Sequence, residues 1–444
     1  MVLKRDPINN KPRVHLTSLG CAKNLVDSER ILARLATAGA VVGASAKQAD
    51  IIIVNTCGFI EPAKKESIDI ILDYARFKKI GSCKLLIVMG CLAQRYTREL
   101  EEGFPEVDGV FGLHQDEQIL AACGLTPGPG GGRLLLTPKH TAYLSISDGC
   151  DSKCTYCAIP IIRGRYKQRT CQQIIAEAED LVRSGVREIN VIAQDTTFYG
   201  MGSAGGMKIH DLLAKLAKIP DLKWIRLLYT HPAHFPKGLI DAYAEIPKLC
   251  PYVDLPLQHL NDAMLRRMGR GVTKKRCLDL IARLRDRIPK IAIRTTFITG
   301  FPGETEAQFQ ELLECVRKLR FDQLGAFVYS QEEGTPASLM PGQLSEKVKE
   351  ARAKELMLAQ QQIAFAGNAS LVGKRMEVLI DKPLDEDLTW QGRSRVQAPD
   401  VDSVTYVKGS NLKTGQFVQV EVTGAKGYDL IASPIEEEEN ALHA

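Results

Sequence analysis

The chain has 444 residues, 45% hydrophobic and 25% charged, which suits two to four globular domains and excludes a low-complexity or fibrous class. Its formal net charge is only +5, which neither demands nor excludes a nucleic-acid partner. The start, Met1-Val2-Leu3-Lys4-Arg5-Asp6-Pro7, lacks an apolar stretch, and no later run is long enough to span a membrane. The default location is therefore the cytosol, where disulfides are rare, so twelve cysteines need another explanation.

The first region, residues 11–125, has apolar runs at Val14–Leu16, Ile51–Val54 and Leu85–Met89, with helical periodicity between them, as in Ser28–Leu35. Alternating strands and helices predict an open, largely parallel α/β sheet. The Pro/Gly stretch Thr126–Gly132 opens a linker over 126–138.

The second region, 139–366, reads as six strand-then-helix units. The strands fall near Tyr143–Ser147, Glu188–Ala193, Trp224–Tyr229, Val253–Leu257, Ile291–Ile298 and Leu324–Tyr329. Helices between them include Gln172–Ser184, Lys274–Asp286 and Glu306–Leu319. Six parallel units predict a partial (β/α)6 barrel of TIM type, which carries function on loops after the strand ends.

The third region, 370–434, shows short alternating segments at Met376–Ile380, Ser394–Gln397, Thr405–Val407, Phe417–Val422 and Asp429–Ala432. They predict a small β-barrel of oligonucleotide-binding type. Residues 435–444 read as a disordered acidic tail.

The strongest chemical signal is Gly149-Cys150-Asp151-Ser152-Lys153-Cys154-Thr155-Tyr156-Cys157, a C-x3-C-x2-C loop after the first barrel strand. Thiolates are soft ligands for iron–sulfur clusters or zinc. A four-iron cluster normally takes four thiolates, so three leave one iron open to a cofactor or substrate. The alternative is a zinc loop with a distant fourth ligand. Cys21, Cys57 and Cys91 each sit just past a strand of the first region, where open α/β sheets place ligands. They are either a second ligand set or buried structural cysteines. Cys83, Cys123, Cys171, Cys250, Cys277 and Cys315 lack such placement and read mostly as packing residues. Other barrel strand ends carry Gln194-Asp195, His231, Gln258-His259 and Thr299–Glu304. The two histidines suit a structural role as well as a functional one.

The cysteine loop, with an aromatic before its last cysteine, resembles the radical S-adenosylmethionine (SAM) superfamily. Ser18–Glu29, Asn55–Ile60 and Thr296–Glu306 resemble its methylthiotransferase family, and the last region resembles that family's TRAM domain. The resemblance covers nearly the whole chain. It implies two 4Fe–4S clusters, one on Cys150, Cys154 and Cys157 that cleaves SAM to a 5′-deoxyadenosyl radical, and one on Cys21, Cys57 and Cys91 that holds the inserted sulfur. A second SAM molecule supplies the methyl group. Tyr156, Gln194 and Gly300 are expected in the cofactor pocket. An electron donor of flavodoxin or ferredoxin type is implied as a partner.

Within the family, Ala22–Asn24, Gly58–Ile60, Arg163–Tyr166 and Ala398–Asp402 resemble the branch that modifies an aspartate β-carbon of small-subunit ribosomal protein S twelve. Ser403 departs from that branch, where glycine is common. The alternative branch acts on a modified adenosine in transfer RNA. From Gly373 to Pro434 there are eight basic and nine acidic side chains. That balance suits a basic protein partner better than a polyphosphate backbone. A non-catalytic electron carrier or scaffold is a further alternative, although carriers usually saturate every iron.

Overall fold

A computed structural model describes residues 11–128, 131–201, 206–384 and 388–435. The centre of the Pro/Gly linker and the acidic tail beyond Ile435 lie outside the described residues.

The first sheet has strand order Val41–Val42, Arg13–Ser18, Ile51–Thr56, Leu85–Gly90 and Gly109–Phe111, all parallel. Ile51–Thr56 and Leu85–Gly90 are buried along their whole length. Near-continuous apolar runs of this kind suit parallel strands covered on both faces.

The second sheet holds six parallel strands in chain order: Thr141–Ser145, Glu188–Ile192, Trp224–Leu227, Leu249–Asp254, Ala292–Thr299 and Gln323–Val328. The first and last strands do not pair, so the barrel is open. Three of its helices start where the sequence signals a cap. Thr170 with Gln173, and Thr305 with Gln308, form capping boxes on Cys171–Arg183 and Glu306–Leu319, and the Thr273 side chain caps Lys274–Arg287. The fourth strand lies upstream of its expected place at Val253–Leu257. Pro256 lacks the N–H that a continuing ladder would need.

The long helix Glu346–Ala369 leads into a closed five-stranded barrel of Arg375–Pro383, Thr389–Ser394, Thr405–Lys408, Phe417–Lys426 and Asp429–Pro434. The segment Ser394–Gln397, expected as a strand, is instead a turn after one. The Gln397 amide donates to the Ser394 carbonyl at 3.1 Å, and its side-chain oxygen accepts from the Ser394 amide at 2.9 Å.

An open sheet leaves its inner face to be covered by something else. Tyr143, Ile192, Trp224, Leu228 and Tyr252 of the second sheet and its loops pack with Val26 from helix Ala22–Thr37 and with Leu379 and Ala398 from the closed barrel. The Trp224 and Phe417 rings meet edge-on, 4.9 Å apart. Beside this apolar contact lies a buried ionic one. Glu188 accepts from Arg226 at 3.2 Å and from both terminal nitrogens of Arg393 at 3.0 and 2.8 Å. Arg393 also grips Asp381, which pairs with His140 at 2.9 Å.

Among the described residues of the closed barrel, more basic than acidic side chains are exposed. Asp381 is buried in the docking face, and the Asp402 side chain is 1% exposed. Lys374, Arg375, Lys382, Lys408, Lys413 and Lys426 are exposed, against Asp400 and Glu421 among the described acids. Asp385 to Asp387 lie outside the described residues. Docking buries both signs of charge, since Arg393 is as buried in the interface as Asp381.

Burial alone would raise the Glu188 carboxyl, but Arg393 and Arg226 outweigh it and hold it at about 2, below its ordinary 4.5. A depressed carboxyl stabilises the fold fully above its unfolded value and loses that contribution as pH falls from 4.5 towards 2. Glu188→Gln is expected to flatten the acid limb of the stability profile in that window. Glu188→Ala is expected to cost roughly 3–5 kcal/mol at neutral pH, because two buried guanidiniums lose a partner. Urea unfolding followed at several pH values checks both.

Candidate active site

Cys21, Cys57 and Cys91 of the first region are each delivered by the end of a parallel strand. Cys21 precedes helix Ala22–Thr37 in extended conformation, Cys57 follows Ile51–Thr56, and Cys91 starts the short helix Cys91–Arg95. Gly20 has φ +85°, and a Cβ there would lie 2.7 Å from that of Cys57. Only glycine lets the Cys21 and Cys57 loops approach this closely. Asn24 ties the loops together. Its amide nitrogen donates to Leu19 and Thr56 carbonyls at 3.0 and 2.9 Å, and its oxygen lies 3.3 Å from the Cys91 sulfur.

The second trio follows the first barrel strand. The Cys150 sulfur accepts from the Ser152 amide at 3.4 Å, and the Cys157 amide donates to the Cys154 carbonyl at 3.2 Å. Tyr156 packs edge-on against Phe301, 6.5 Å between ring centres.

The two trios face one another across a single cavity of about 750 Å³. All six sulfur-bearing residues line it, and none of the other six cysteines does. Tyr156 and Gln194 also line it. Gly300 does not. Its amide donates to Glu304 at 2.8 Å, and its α-carbon packs on Lys349 of the long helix. His259 has a structural role as well: it pairs with Glu304 at 3.1 Å and accepts from the Leu260 and Asn261 amides, both at 2.9 Å. His231 lines the cavity.

Asp148, directly before Gly149 and Cys150, joins the two halves. It accepts from Lys23 and Arg163, each at 3.2 Å, from His114 at 3.0 Å and from Gln194 at 3.2 Å. Burial would raise its carboxyl, but His114, Lys23 and Arg163 together hold it well below the usual carboxylate range. Arg163 also reaches Asp27 at 3.0 Å and Asn24 at 2.8 Å.

The donor set fits an anionic iron–sulfur group in each trio. Burial pushes the Cys91 and Cys157 thiols up to about 12 and raises Cys57 and Cys150, so bare thiolates are disfavoured without nearby positive charge. Metal supplies that charge. Each trio also has one buried guanidinium: Arg163 lies 3.6 Å from the Cys91 sulfur and Arg270 lies 3.5 Å from that of Cys154. A zinc ion with bonds of about 2.3 Å would draw its sulfurs to within about 4 Å of one another. Among the described residues neither trio gathers its sulfurs within 4.8 Å; the one group that close is Asp195, His231 and His234. The wider spacing suits a cluster.

The cavity has a third wall that sequence reading missed. Asp400 and Val401 of the closed barrel line it, with Asp400 in the left-handed region at φ +66°. Tyr143 donates to Asp400 at 2.8 Å, and Tyr252 donates to Asp402 at 2.6 Å. Phe59, Phe327 and Val401, between 37% and 51% exposed, give the cavity an apolar rim.

Three family descriptions match: uncharacterized protein family UPF0004 over residues 13–112, the radical SAM superfamily over 144–316 and the TRAM domain over 372–435. The ribosomal protein uS12 methylthiotransferase RimO of Geobacter sulfurreducens is 45% identical, over 96% of this chain and 99% of its own. The protein of the same name from Desulforamulus reducens is 44% identical over 95% and 99%. The chain belongs to the RimO family of radical SAM methylthiotransferases. It is therefore an enzyme that works with an iron–sulfur cluster and SAM. The radical SAM methyltransferase TsrM of Kitasatospora setae, solved with cobalamin and a 4Fe–4S cluster bound, shares the fold at 16% identity and a TM-score of 0.54, over 74% of this chain and 77% of that one.

Arg163→Ala removes the side chain common to Asp27, Asn24 and Asp148. It is expected to destabilise the docking of the first domain by roughly 3 kcal/mol. Limited proteolysis within the 126–138 linker, timed against wild type, checks this; faster cleavage is the expected result.

Proposed function

We propose that this enzyme inserts a methylthio group at the β-carbon of an aspartate in small-subunit ribosomal protein uS12, with Cys150, Cys154 and Cys157 holding one 4Fe–4S cluster and Cys21, Cys57 and Cys91 a second. The observation that carries the proposal is that both cysteine trios open onto one cavity. The relatives' names supply the substrate. When bound, the clusters and SAM supply a 5′-deoxyadenosyl radical at one end and a transferable sulfur at the other.

The chain's own residues bind, orient and exclude water. Arg163 and Arg270 offset anionic charge beside Cys91 and Cys154. Tyr156 and Gln194 line the wall where the cofactor would lie. The apolar rim of Phe59, Phe327 and Val401 suits a protein loop entering the cavity. All twelve cysteines are unpaired, which fits the reducing cytoplasm, where a flavodoxin- or ferredoxin-type protein would serve as electron donor.

Anaerobically reconstituted protein is expected to hold about eight irons per chain, two clusters of about four. About four would remove the second cluster. Joint replacement of Cys150, Cys154 and Cys157 by Ala is expected to abolish 5′-deoxyadenosine release. Cys21→Ala is expected to spare that release and stop sulfur insertion. Offered uS12 and transfer RNA together, the wild type is expected to add a methylthio mass to the protein. A gain on the RNA alone would overturn the substrate.

A further inference from the structure

The cysteine loop of the six-stranded barrel has an inner and an outer side. Cys154, Tyr156, Cys157, Ile159 and Ile162 line the cavity, whereas Lys153, Thr155, Pro160 and Ile161 do not. Lys153, Pro160 and Ile161 are exposed, and Thr155 is half-buried. Two other segments are fastened to this outer side through Thr155. Its amide donates to the Met268 carbonyl and its hydroxyl to the Arg267 carbonyl, both at 3.0 Å. Its carbonyl accepts from the Ala337 amide at 2.9 Å. The turn before Ala337 brings Gly334 against Ile161, where an added Cβ would lie 3.1 Å from the Ile161 side chain.

The surface so formed has an apolar centre and a basic edge. Leu339 is 88% exposed and Ile161 50%. Pro336 and Pro341 are exposed in the same segment as Leu339. Lys153, Arg266 and Arg267 are exposed beside them, against Glu333 as the exposed acid of these segments. Arg267 donates to the Pro341 carbonyl at 2.9 Å, which leaves its charge in place. The neighbouring carboxylates are engaged elsewhere. Glu332 is buried between Lys64 and Arg95, Asp151 pairs with Arg165, and Asp262 accepts from the Lys274 amide at 2.6 Å.

An electron bound for metal on Cys150, Cys154 and Cys157 has to arrive from outside the cavity, because substrate and SAM occupy the inside. Thr155 is bonded to Cys154 and stands two residues before Cys157, so a carrier seated on this face lies one residue's depth from the sulfurs. A small face with an apolar centre and a rim of one sign suits a brief electron-transfer contact rather than a permanent interface. The apolar centre also selects the kind of carrier. The dimethylbenzene edge of a flavin is an apolar ring edge that needs such a seat, and the basic rim favours acidic protein around it.

We propose that Ile161, Leu339, Lys153, Arg266 and Arg267 form the docking face for an acidic flavodoxin-type protein that passes single electrons to the Cys150–Cys157 loop. The flavin hydroquinone is oxidised by one electron and the iron–sulfur group is reduced by one, with no bond made or broken. The inference rests on the proposed cluster in this loop.

The test uses anaerobically reconstituted enzyme and a purified acidic flavodoxin. Quenching of flavin fluorescence gives Kd at low and high salt for wild type, Arg266→Glu and Leu339→Ser, each checked for iron content. Wild-type affinity is expected to fall as salt rises, since exposed charges are screened beyond a Debye length. Each variant is expected to weaken binding by about tenfold and to slow 5′-deoxyadenosine release driven by reduced flavodoxin. Release driven by dithionite, and KM for uS12, are expected to stay at wild-type values. No binding by wild type, or binding unchanged in both variants, would overturn the face. A raised KM for uS12 with dithionite would overturn it too, and assign the surface to the ribosomal protein. Binding of a ferredoxin in place of the flavodoxin would overturn the flavin carrier. Failure of the wild type to release 5′-deoxyadenosine with dithionite would contradict the proposed cluster and leave the binding measurement standing.

Discussion

Asp148 is the carboxylate on which the arrangement of the site depends. It sits in the chain just before the Cys150 loop and is held by Lys23 and His114 from the first domain and by Arg163 and Gln194 from the barrel. Lys23 and Asn24 directly follow Cys21 and Ala22, so the residues that dock the domain neighbour the residues that would bind metal. A shift of this contact would move one cysteine trio relative to the other. Breaking a buried ion pair leaves an uncompensated charge, so the interface favours one geometry strongly.

The six-stranded sheet explains why a third domain takes part. An open barrel exposes an inner face that eight strands would close. Helix Ala22–Thr37 and the closed β-barrel cover that face, with Trp224 and Tyr252 in the apolar part and Glu188 in the ionic part. The same docking brings Asp400 and Val401 to the cavity. Stability and substrate access are thus linked through one interface.

Local features were the legible ones. The cysteines stand next to strand ends that apolar runs reveal, and Thr-x-x-Gln marks helix starts such as Thr170 and Thr305. Features set by distant contacts were not legible. Nothing near Asp148 in the chain signals four partners from separate segments. The shift of the fourth strand follows from one missing N–H at Pro256, and the turn at Ser394–Gln397 from one glutamine side chain. Gly300 follows a strand end, as the expected pocket residues do, yet Lys349 from a helix some fifty residues later covers it. The charge count of the closed barrel does not tell which charges docking buries, such as Arg393 with Asp381.

The central claim is that radical formation and sulfur delivery share one cavity over the β-carbon of an aspartate. Its most direct measurement uses uS12 carrying β-deuterated aspartate, incubated anaerobically with SAM and reductant, followed by mass spectrometry of both products. The account predicts deuterium in 5′-deoxyadenosine with wild type and with Cys21→Ala, and a methylthio gain on uS12 with wild type alone. Unlabelled 5′-deoxyadenosine from a wild-type reaction that methylthiolates uS12 would contradict it.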